Sequence, residues 1–389
     1  MMRIKGLRHI ASIYTICASL AFAAAMFLSC QKDIEKDLVT LYPIIKSNIE
    51  TSVETRALAG NYSDYNTGTR QSIYAYAHAY NYTSTPQEGI DITGAFVPST
   101  AGGWRSTLKA EDNVSYYLYC HTAIPGATGY SLNFTDAGHV NLSFSNLSVI
   151  SDTDPLVSVA ASGKTLPDNP AANTYPELTD GSYDIGKVEH VKENGIIVQS
   201  TKVFLALKHL YAKATLSFKI DADYNSLRTV KVKEVTVSTT QGATLEGSSF
   251  KYNYITHELN TEGGAISNTT TQKTLDIIRG LSSTAVFDDD EMTKITLKDD
   301  DFYDFGWFTF LPTANLPSGS LPLLNITVTY DVYDKTGLLV RENQTATNGN
   351  ILKGATGTAG FNNRIRITVK PTYLYVLSDN DAKLELNIN

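Results

Sequence analysis

Alternation of apolar and polar residues is the dominant pattern of this chain. The clearest alternation runs from His209 to Ile220. Its apolar members occupy every second position and are Leu210, Ala212, Ala214, Leu216, Phe218 and Ile220. Residues two apart lie on the same face of a β-strand, so this run predicts a strand with one buried and one solvated face.

Further strands are predicted by the same reasoning. The runs that alternate or are rich in aromatic residues are 73–80, 114–121, 230–237, 324–332, 364–370, 373–377 and 383–388. The apolar register shifts by one between Val232 and Val235, which predicts a bulge near Lys233 and Glu234. The residues 334–337, Asp-Lys-Thr-Gly, have the composition of a hairpin turn. Only Gln272 to Leu281 has a helical pattern.

Composition supports a β fold. The chain has 23 tyrosines, 14 phenylalanines and 26 glycines among 389 residues, and aromatic residues are enriched in strands whereas glycine is common in turns. We therefore predict an all-β protein. The length favours two domains over one large one, and we place their boundary near residue 222, giving an N-terminal domain of residues 57–222 and a C-terminal domain of residues 223–389.

The first thirty residues have the pattern of a bacterial lipoprotein signal. Basic residues at positions 3, 5 and 8 precede an uncharged apolar run that ends at Ser29-Cys30. A small residue before cysteine, followed by polar residues, differs from the small-x-small site of a plain secretory signal. We predict that residues 1–29 are the signal peptide and that Cys30 is acylated as the mature N-terminus. The alternatives are an ordinary signal peptide and an uncleaved membrane anchor.

The segment of residues 30–56 is predicted to be a separate N-terminal pro-segment. Between residues 38 and 49 it is too apolar for a plain flexible tether, and it has enough hydrophobic residues to occupy a groove. It ends at Arg56-Ala57, a basic residue in a polar stretch. A trypsin-like protease would find such an arginine accessible, and cleavage would release the lipid with residues 30–56. The alternatives are cleavage at Arg70 and no cleavage at all.

The chain lacks the motifs of common enzymes and of nucleic-acid binding proteins. No HExxH, GxSxG or Walker motif is present in the sequence. The formal net charge of −8 does not fit a partner with a phosphate backbone. Cys120 and His121 are consecutive in a predicted strand and would point to opposite faces, so they do not form a nucleophile and base pair. We predict neither enzymatic activity nor a cofactor.

Two weaker candidates for ligand binding remain. The acidic runs 288–291 and 299–301 could supply oxygen ligands to calcium, although neither has the glycine-pivoted loop of an EF-hand, and solvated loop tips are the commoner structure. Trp104 and Trp307 could stack on sugar rings. In a β-sandwich such residues are more often part of the core or of cross-strand pairs.

Several of these residues together resemble the fimbrillin family of Bacteroidales, which are pilus subunits made as lipoprotein precursors. The matching elements are Ser29-Cys30, residues 54–57 (Glu-Thr-Arg-Ala), the aromatic run 104–119, residues 152–160 and residues 207–220. The last of these is the most specific. The chain departs from the family in the residues around Cys120 and in the acidic turn before residue 156.

The resemblance implies a fold and a mode of assembly. It implies two transthyretin-like, Greek-key β-sandwich domains in tandem. It also implies arginine-specific removal of an N-terminal strand, which opens a groove that a strand of the next subunit fills. Residues 38–49, Arg56 and residues 373–388 are the candidates for the removed strand, the cut and the spare strand.

The expected partners are other fimbrial subunits, an arginine-specific protease and, through the lipid on Cys30, the outer membrane. A host or bacterial surface receptor is a further candidate. The expected location is the outer membrane and then a fimbrium at the cell surface. Two alternatives stay open, namely a fimbrial anchor or tip subunit that keeps its lipid and a lipid-anchored monomeric surface protein that binds glycans.

Overall fold

The structure is a computed structural model and is nearly all β. It describes residues 38–48, 51–52, 62–64, 71–80, 86–99, 103–111, 115–136, 139–162, 191–193, 196–198, 200–240, 242, 244–254, 256–262, 267–268, 272–277, 287–288, 291–316, 321–371 and 384–388. The prediction of an all-β protein is confirmed. The arrangement as two tandem sandwich domains stays a prediction.

The strands of the first half of the chain are β1 Leu38–Asn48, β2 Thr51–Ser52, β3 Tyr62–Asp64, β4 Ile73–Tyr80, β5 Pro86–Pro98, β6 Trp104–Ser106, β7 Lys109–Glu111, β8 Ser115–Thr122, β9 Thr128–Asp136, β10 His139–Ser148, β11 Ile150–Ser151, β12 Leu156–Ser162, β13 Val191–Glu193, β14 Ile196–Val198 and β15 Ser200–His209.

The elements of the second half are β16 Ala212–Ile220, helix α1 Ala222–Leu227, β17 Thr229–Thr239, β18 Thr244–Asn253, β19 Glu258–Glu262, β20 Ser267–Asn268, β21 Thr274–Asp276, β22 Phe287–Asp288, β23 Glu291–Thr296, β24 Tyr303–Phe310, a 3₁₀ turn Thr313–Asn315, β25 Leu324–Tyr333, β26 Leu339–Gly349, β27 Phe361–Pro371 and β28 Leu384–Ile388.

Four larger sheets and one small hairpin hold these strands. Sheet A has the order β3-β1-β15-β12-β8-β4-β5-β6, with β7 paired to β1. Sheet B has the order β11-β24-β16-β27-β2, with β28 paired to β27. Sheet C is β19-β18-β10-β9 with β20, and sheet E is β22-β23-β17-β25-β26 with β21. The hairpin β13-β14 is sheet D.

Sheet A curves back on itself. β6 pairs with β5 at one end of the sheet, while β7, which follows β6 closely in the chain, pairs with β1 near the other end. The bend brings Gly94 of β5 against Leu108, where a Cβ on residue 94 would lie 2.8 Å from the Leu108 Cα. Only glycine permits this close approach of two backbones.

Sheet C packs on one face of sheet A through aromatic rings. The ring centroid of Tyr119 on β8 lies 5.0 Å from that of Tyr254, and His121 lies 4.8 Å from Tyr130 on β9. Buried apolar residues of the described sheets form one continuous hydrophobic cluster. Burial of this apolar surface is the main stabilising contribution to the fold.

Sheets B and E form a second pair. The Leu384 amide of β28 donates to the Tyr330 hydroxyl of β25 at 3.4 Å, and Gly306 of β24 approaches the Ile277 carbonyl so closely that a Cβ there would be 2.5 Å from it. Gly306 has a φ of +154°, and its missing side chain makes room for the chain after β21.

The strand pairings cross residue 222 in both directions. β16, which precedes this residue, pairs with β24 and β27 of the later chain. β18, which follows it, pairs with β10 of the earlier chain. The boundary at residue 222 stays a prediction. Any division of the chain into domains must assign β16 to the later strands and β18 to the earlier ones.

Most of the predicted strands are confirmed. β4, β8, β25, β27 and β28 coincide with predicted runs within a few residues. The pairing of β17 with β25 shifts register between Val232 and Glu234, which confirms the bulge. The hairpin turn is confirmed as well, because the Asp334 carboxylate accepts hydrogen bonds from the Thr336 and Leu338 amides. Residues 373–377 lie outside the described residues.

The strand predicted from His209 to Ile220 is confirmed as β16, with its start three residues later, because His209 ends β15 and β16 begins at Ala212. One local prediction is wrong. The predicted helix 272–281 is contradicted by β21. Leu275 is buried there and pairs with Val237 of β17, so pairing with a neighbouring strand overrides the local helical pattern.

Candidate functional site

β1 is the strand on which the predicted assembly depends, and it lies inside sheet A. It pairs in parallel with β15 over eight consecutive residue pairs, from Thr40 with Ser200 to Ser47 with Leu207. The partners are about 160 residues apart in the chain, so this contact is purely tertiary. The predicted N-terminal strand is therefore a strand of the fold and has a defined register.

β1 also has partners on its other edge. β7 pairs with residues 38–40 and β3 pairs with residues 46–48, both antiparallel. β1 therefore connects the two ends of the curved sheet. The buried Pro43 lies between these two contacts. Among the described residues, this stretch of β1 has a neighbouring strand on one edge only. Proline suits such a position because it has no N–H to donate.

The sequence of β1 suits this position. Its residues, Leu-Val-Thr-Leu-Tyr-Pro-Ile-Ile-Lys-Ser-Asn, form a nearly continuous apolar run rather than a strict alternation. Continuous apolar runs are typical of strands with parallel neighbours that are covered on both faces. The segment is thus built as an internal strand, although it stands at the N-terminal end of the mature chain predicted above.

The N-terminal segment continues from sheet A to sheet B. β2 pairs in parallel with the start of β27, Thr51 with Phe361 and Ser52 with Asn362. β28 pairs antiparallel with the other end of β27, from Ile367 to Pro371. The N-terminal and C-terminal strands therefore share one edge of β27.

The predicted processing and lipid sites lie outside the described residues. These are Cys30, Arg56, Ala57 and the competing Arg70. In chain order, Arg56 comes after β2 of sheet B and before β3 of sheet A. A cut at Arg56 would accordingly separate β1 and β2 from the rest of the chain, whereas β3 would stay with it.

The acidic run 299–301 is engaged in its own loop. The Asp300 carboxylate accepts hydrogen bonds from the Asp301 amide and from the Tyr303 hydroxyl at 2.9 Å, and the hydroxyl lowers the pKa of Asp300. Asp301 accepts from the Phe302 amide. Within the described part of the chain, no group of three or more His, Cys, Asp or Glu residues could hold a metal ion.

The two tryptophans do not share a platform. Trp104 lies on β6 of sheet A and Trp307 on β24 of sheet B. The ammonium group of Lys213 lies over the Trp307 ring, with Nζ 4.4 Å from the ring centroid. Trp104 packs against the hydrophobic cluster, so each ring has a structural role.

Cys120 and His121 are both buried on β8 and have different surroundings. Burial raises the pKa of the Cys120 thiol, which disfavours the reactive thiolate. His121 lies among the rings of Tyr74, Tyr76 and Tyr130. No local pattern predicts this aromatic cluster, because its members come from three separate strands.

In the part of the chain that the structure describes, none of the helices has the length and hydrophobicity of a membrane-spanning segment.

Comparisons with known proteins give matches among solved structures only. No family model matches the chain, and no curated protein matches it. The chain is similar to a fimbrial protein from Bacteroides vulgatus, with 14% identity, 89% of this chain and 98% of that chain covered, and a TM-score of 0.41.

It is also similar to a candidate cell adhesion protein from Bacteroides fragilis, with 10% identity, coverage of 91% and 98%, and a TM-score of 0.41. A third structure is the fimbrial anchor protein Mfa2 from Porphyromonas gingivalis, with 12% identity, coverage of 90% and 97%, and a TM-score of 0.28. The structure neighbours are thus Bacteroidales fimbrial and cell adhesion proteins. All three TM-scores lie below 0.5, so residue roles are not carried over from them.

Proposed function

We propose that this protein is a structural, non-enzymatic subunit of a cell-surface fimbrium that serves adhesion. In this proposal the chain is exported as a lipoprotein acylated on Cys30, cut after Arg56 by an arginine-specific protease, and polymerised by β-strand addition. The observation that carries the proposal is the position of β1 in sheet A, an N-terminal strand paired with β15 along one edge and with β7 and β3 at the two ends of the other edge.

Removal of β1 would create an acceptor for another strand. β15 would lose its parallel partner along eight residues, which leaves a row of unpaired N–H and C=O groups along that edge. Such an edge is a template for strand addition. Val203, Leu205 and Leu207 of β15 are buried, and an incoming apolar strand would keep this part of the core covered.

The same cut would open sheet B. β2 would leave together with β1, which uncovers Phe361 and Asn362 at the start of β27. An incoming strand could therefore follow the path of the lost segment from sheet A to sheet B. A strand that spans two sheets is held by many backbone hydrogen bonds, which suits a filament that bears load.

The proposed donor is the C-terminal segment, residues 373–388, of a neighbouring copy or another fimbrial subunit. Within its own chain β28 pairs with β27 over five residues. Donation therefore requires β28 to leave that edge first. The short pairing makes such a release cheaper than the release of a long strand.

The alternative within the same class is an anchor or tip subunit that keeps its lipid. If Arg56 is not cut, β1 stays in sheet A and Cys30 holds the protein at the outer membrane. The names of the similar structures, a fimbrial protein and a fimbrial anchor protein, are compatible with either role. The proposal rests on the strand geometry.

A disulfide between β1 and β15 tests the proposal directly. Thr40 and Ser200 are register partners in adjacent parallel strands, and neighbouring strands lie about 4.8 Å apart, within the reach of a disulfide. The double variant Thr40→Cys with Ser200→Cys is expected to form no polymers when oxidised and to recover them on reduction.

The single variant Thr40→Cys is the matched control and should polymerise under both conditions. The readout is the ladder of SDS-resistant species from the cell surface. Polymers built from chains that still contain the intact cross-link would rule out replacement of β1.

A further inference from the structure

A cavity of about 410 Å³ lies where three of the sheets meet, apart from β1. Its walls come from the end of β15, from the turn that joins β18 to β19, and from the chain segments 312–315 and 357–359 beside sheet B. The volume lies in the range of about 300–1,000 Å³ that is typical of small-molecule sites. Strand addition at β15 does not use this cavity.

The lining of the cavity combines buried apolar residues with exposed polar ones. Val157, Leu210 and Tyr252 are buried members of the lining, whereas Glu258 and Thr358 line it as exposed residues. This combination means that a ligand can cover apolar surface while it keeps hydrogen-bonding groups near polar side chains.

Lys208 supplies the cationic group of the wall. Its side chain is half-buried, and burial lowers the pKa of its ammonium group while the charge of Glu258 acts in the opposite direction. A partly desolvated ammonium gains most from an added hydrogen-bond acceptor. The Glu258 carboxylate partly opposes the effect of burial on Lys208 and would repel an anionic ligand, so the two groups together favour a neutral ligand over an anion.

His257, in the turn between β18 and β19, supplies a neutral imidazole to the lining of the cavity. Burial, and then the charge of Lys208, lowers its pKa to about 4, so the ring is uncharged at neutral pH. Its φ of +57° is unusual for a residue with a side chain. Backbone conformations of this kind are concentrated at functional sites.

The surrounding turn holds His257 in place. The Asn253 side chain accepts a hydrogen bond from the Thr256 amide at 3.0 Å, and the Tyr252 hydroxyl lies 3.4 Å from His257 Nδ1. The Asn315 side chain donates to the Leu259 carbonyl at 2.6 Å, which ties the start of β19, next to the turn, to the 3₁₀ segment. These hydrogen bonds hold the part of the cavity wall that contains His257.

These groups match the chemistry of a sugar ring. A pyranose presents a row of hydroxyls on its edge and C–H groups on its face, and the cavity offers polar groups beside buried apolar residues. We infer that the cavity binds one pyranose residue of a neutral glycan, with its hydroxyls toward Lys208 and His257 and its C–H face toward Leu210. The protein would thus carry a receptor site that is independent of its polymerisation.

The inference is tested with the exported full chain, purified in a sugar-free zwitterionic detergent. The probes are the methyl glycosides of galactose, mannose and N-acetylglucosamine, with N-acetylneuraminic acid as the anionic comparison. Saturation-transfer NMR and calorimetry are expected to detect at least one neutral glycoside with a Kd of about 1 mM.

Two variants and a control locate the site. Lys208→Met keeps most of the aliphatic stem, and His257→Asn keeps a residue that tolerates positive φ, so each is expected to fold normally and to weaken binding about tenfold. Lys353→Met, at an exposed position outside the cavity lining, is expected to bind like the unaltered chain. Unfolding temperatures of all four proteins verify that the fold is intact.

Three results would overturn the inference. The first is the absence of binding by all three neutral glycosides. The second is an affinity in both Lys208→Met and His257→Asn that equals the affinity of the unaltered chain. The third is a preference for N-acetylneuraminic acid.

Discussion

Replacement of His121 by glutamine is expected to remove part of the acid sensitivity of the fold. His121 is fully buried on β8. Its Nδ1 lies 2.7 Å from the Thr122 carbonyl oxygen and its Nε2 lies 3.3 Å from the Tyr76 hydroxyl. A carbonyl oxygen can only accept, so Nδ1 carries the proton and Nε2 accepts from Tyr76 in the neutral ring.

The magnitude follows from the change in pKa. Burial lowers the pKa of His121 from 6.5 to about 4, against a smaller opposing effect of the Thr122 carbonyl. The unfolded chain therefore takes up a proton at a higher pH than the folded chain does. The stability due to the neutral ring is fully present above pH 6.5 and is lost as the pH falls toward 4. At about pH 4.5 the loss amounts to about 2.5 kcal/mol.

The assay is urea unfolding, followed by tryptophan fluorescence, of the chain that begins at residue 31. It is done at about pH 7.5 and about pH 4.5, on either side of the ordinary histidine pKa. Glutamine can donate to Thr122 and accept from Tyr76 but does not titrate in this range. Between the two pH values the variant should lose about 2–3 kcal/mol less stability than the unaltered chain. An equal loss in both proteins would refute the assignment of acid sensitivity to His121.

Three further predictions concern the packing of the described sheets. Gly94→Ala is expected to destabilise the protein by about 1–3 kcal/mol in urea unfolding, because the new Cβ would clash with the Leu108 backbone; unchanged stability would contradict the close approach. Lys233→Met removes the ion pair between the Lys233 ammonium and the almost fully buried Asp331 carboxylate, which are 3.5 Å apart. The free energy of unfolding, measured by the same method, is expected to fall by about 3 kcal/mol. In the chain from residue 31 Cys120 is the sole cysteine, and its buried thiol should resist Ellman's reagent until denaturant is added.

Local patterns predicted the strands well where one face of a strand is buried. In β25, Leu324, Ile326 and Val328 are buried in alternation, and the run was readable because the alternation has the period of a strand. β21 was misread because its three residues are too few to establish a period. Its conformation depends on pairing with β17.

The partner of a strand is not encoded in its own sequence. The apolar composition of residues 38–49 predicted a segment that fills a groove, but it gave no indication that β15 would lie beside it in parallel. Likewise, Lys208 and His257 are unremarkable in sequence. They meet only because β15 and the turn after β18 border the same cavity, which no spacing in the sequence reveals.

Local sequence patterns also did not predict that strands from the two halves of the chain pair with each other. β18 pairs with β10, about 100 residues earlier in the chain. Helix α1 begins at residue 222, where the sequence predicts a domain boundary. Strands from before and after this helix nevertheless pair with each other in the same sheets. Such crossings depend on the packing of whole sheets, which local periodicity does not describe.

The most direct test of the proposed assembly is the N-terminus of the protein in its polymer. Surface filaments are sheared from cells, separated as SDS-resistant species and analysed by mass spectrometry of the N-terminal peptide. Strand replacement after cleavage at Arg56 predicts that polymeric chains begin at Ala57 and contain no peptide from residues 38–48. Polymeric chains that begin at an acylated Cys30 and retain residues 38–48 would contradict it.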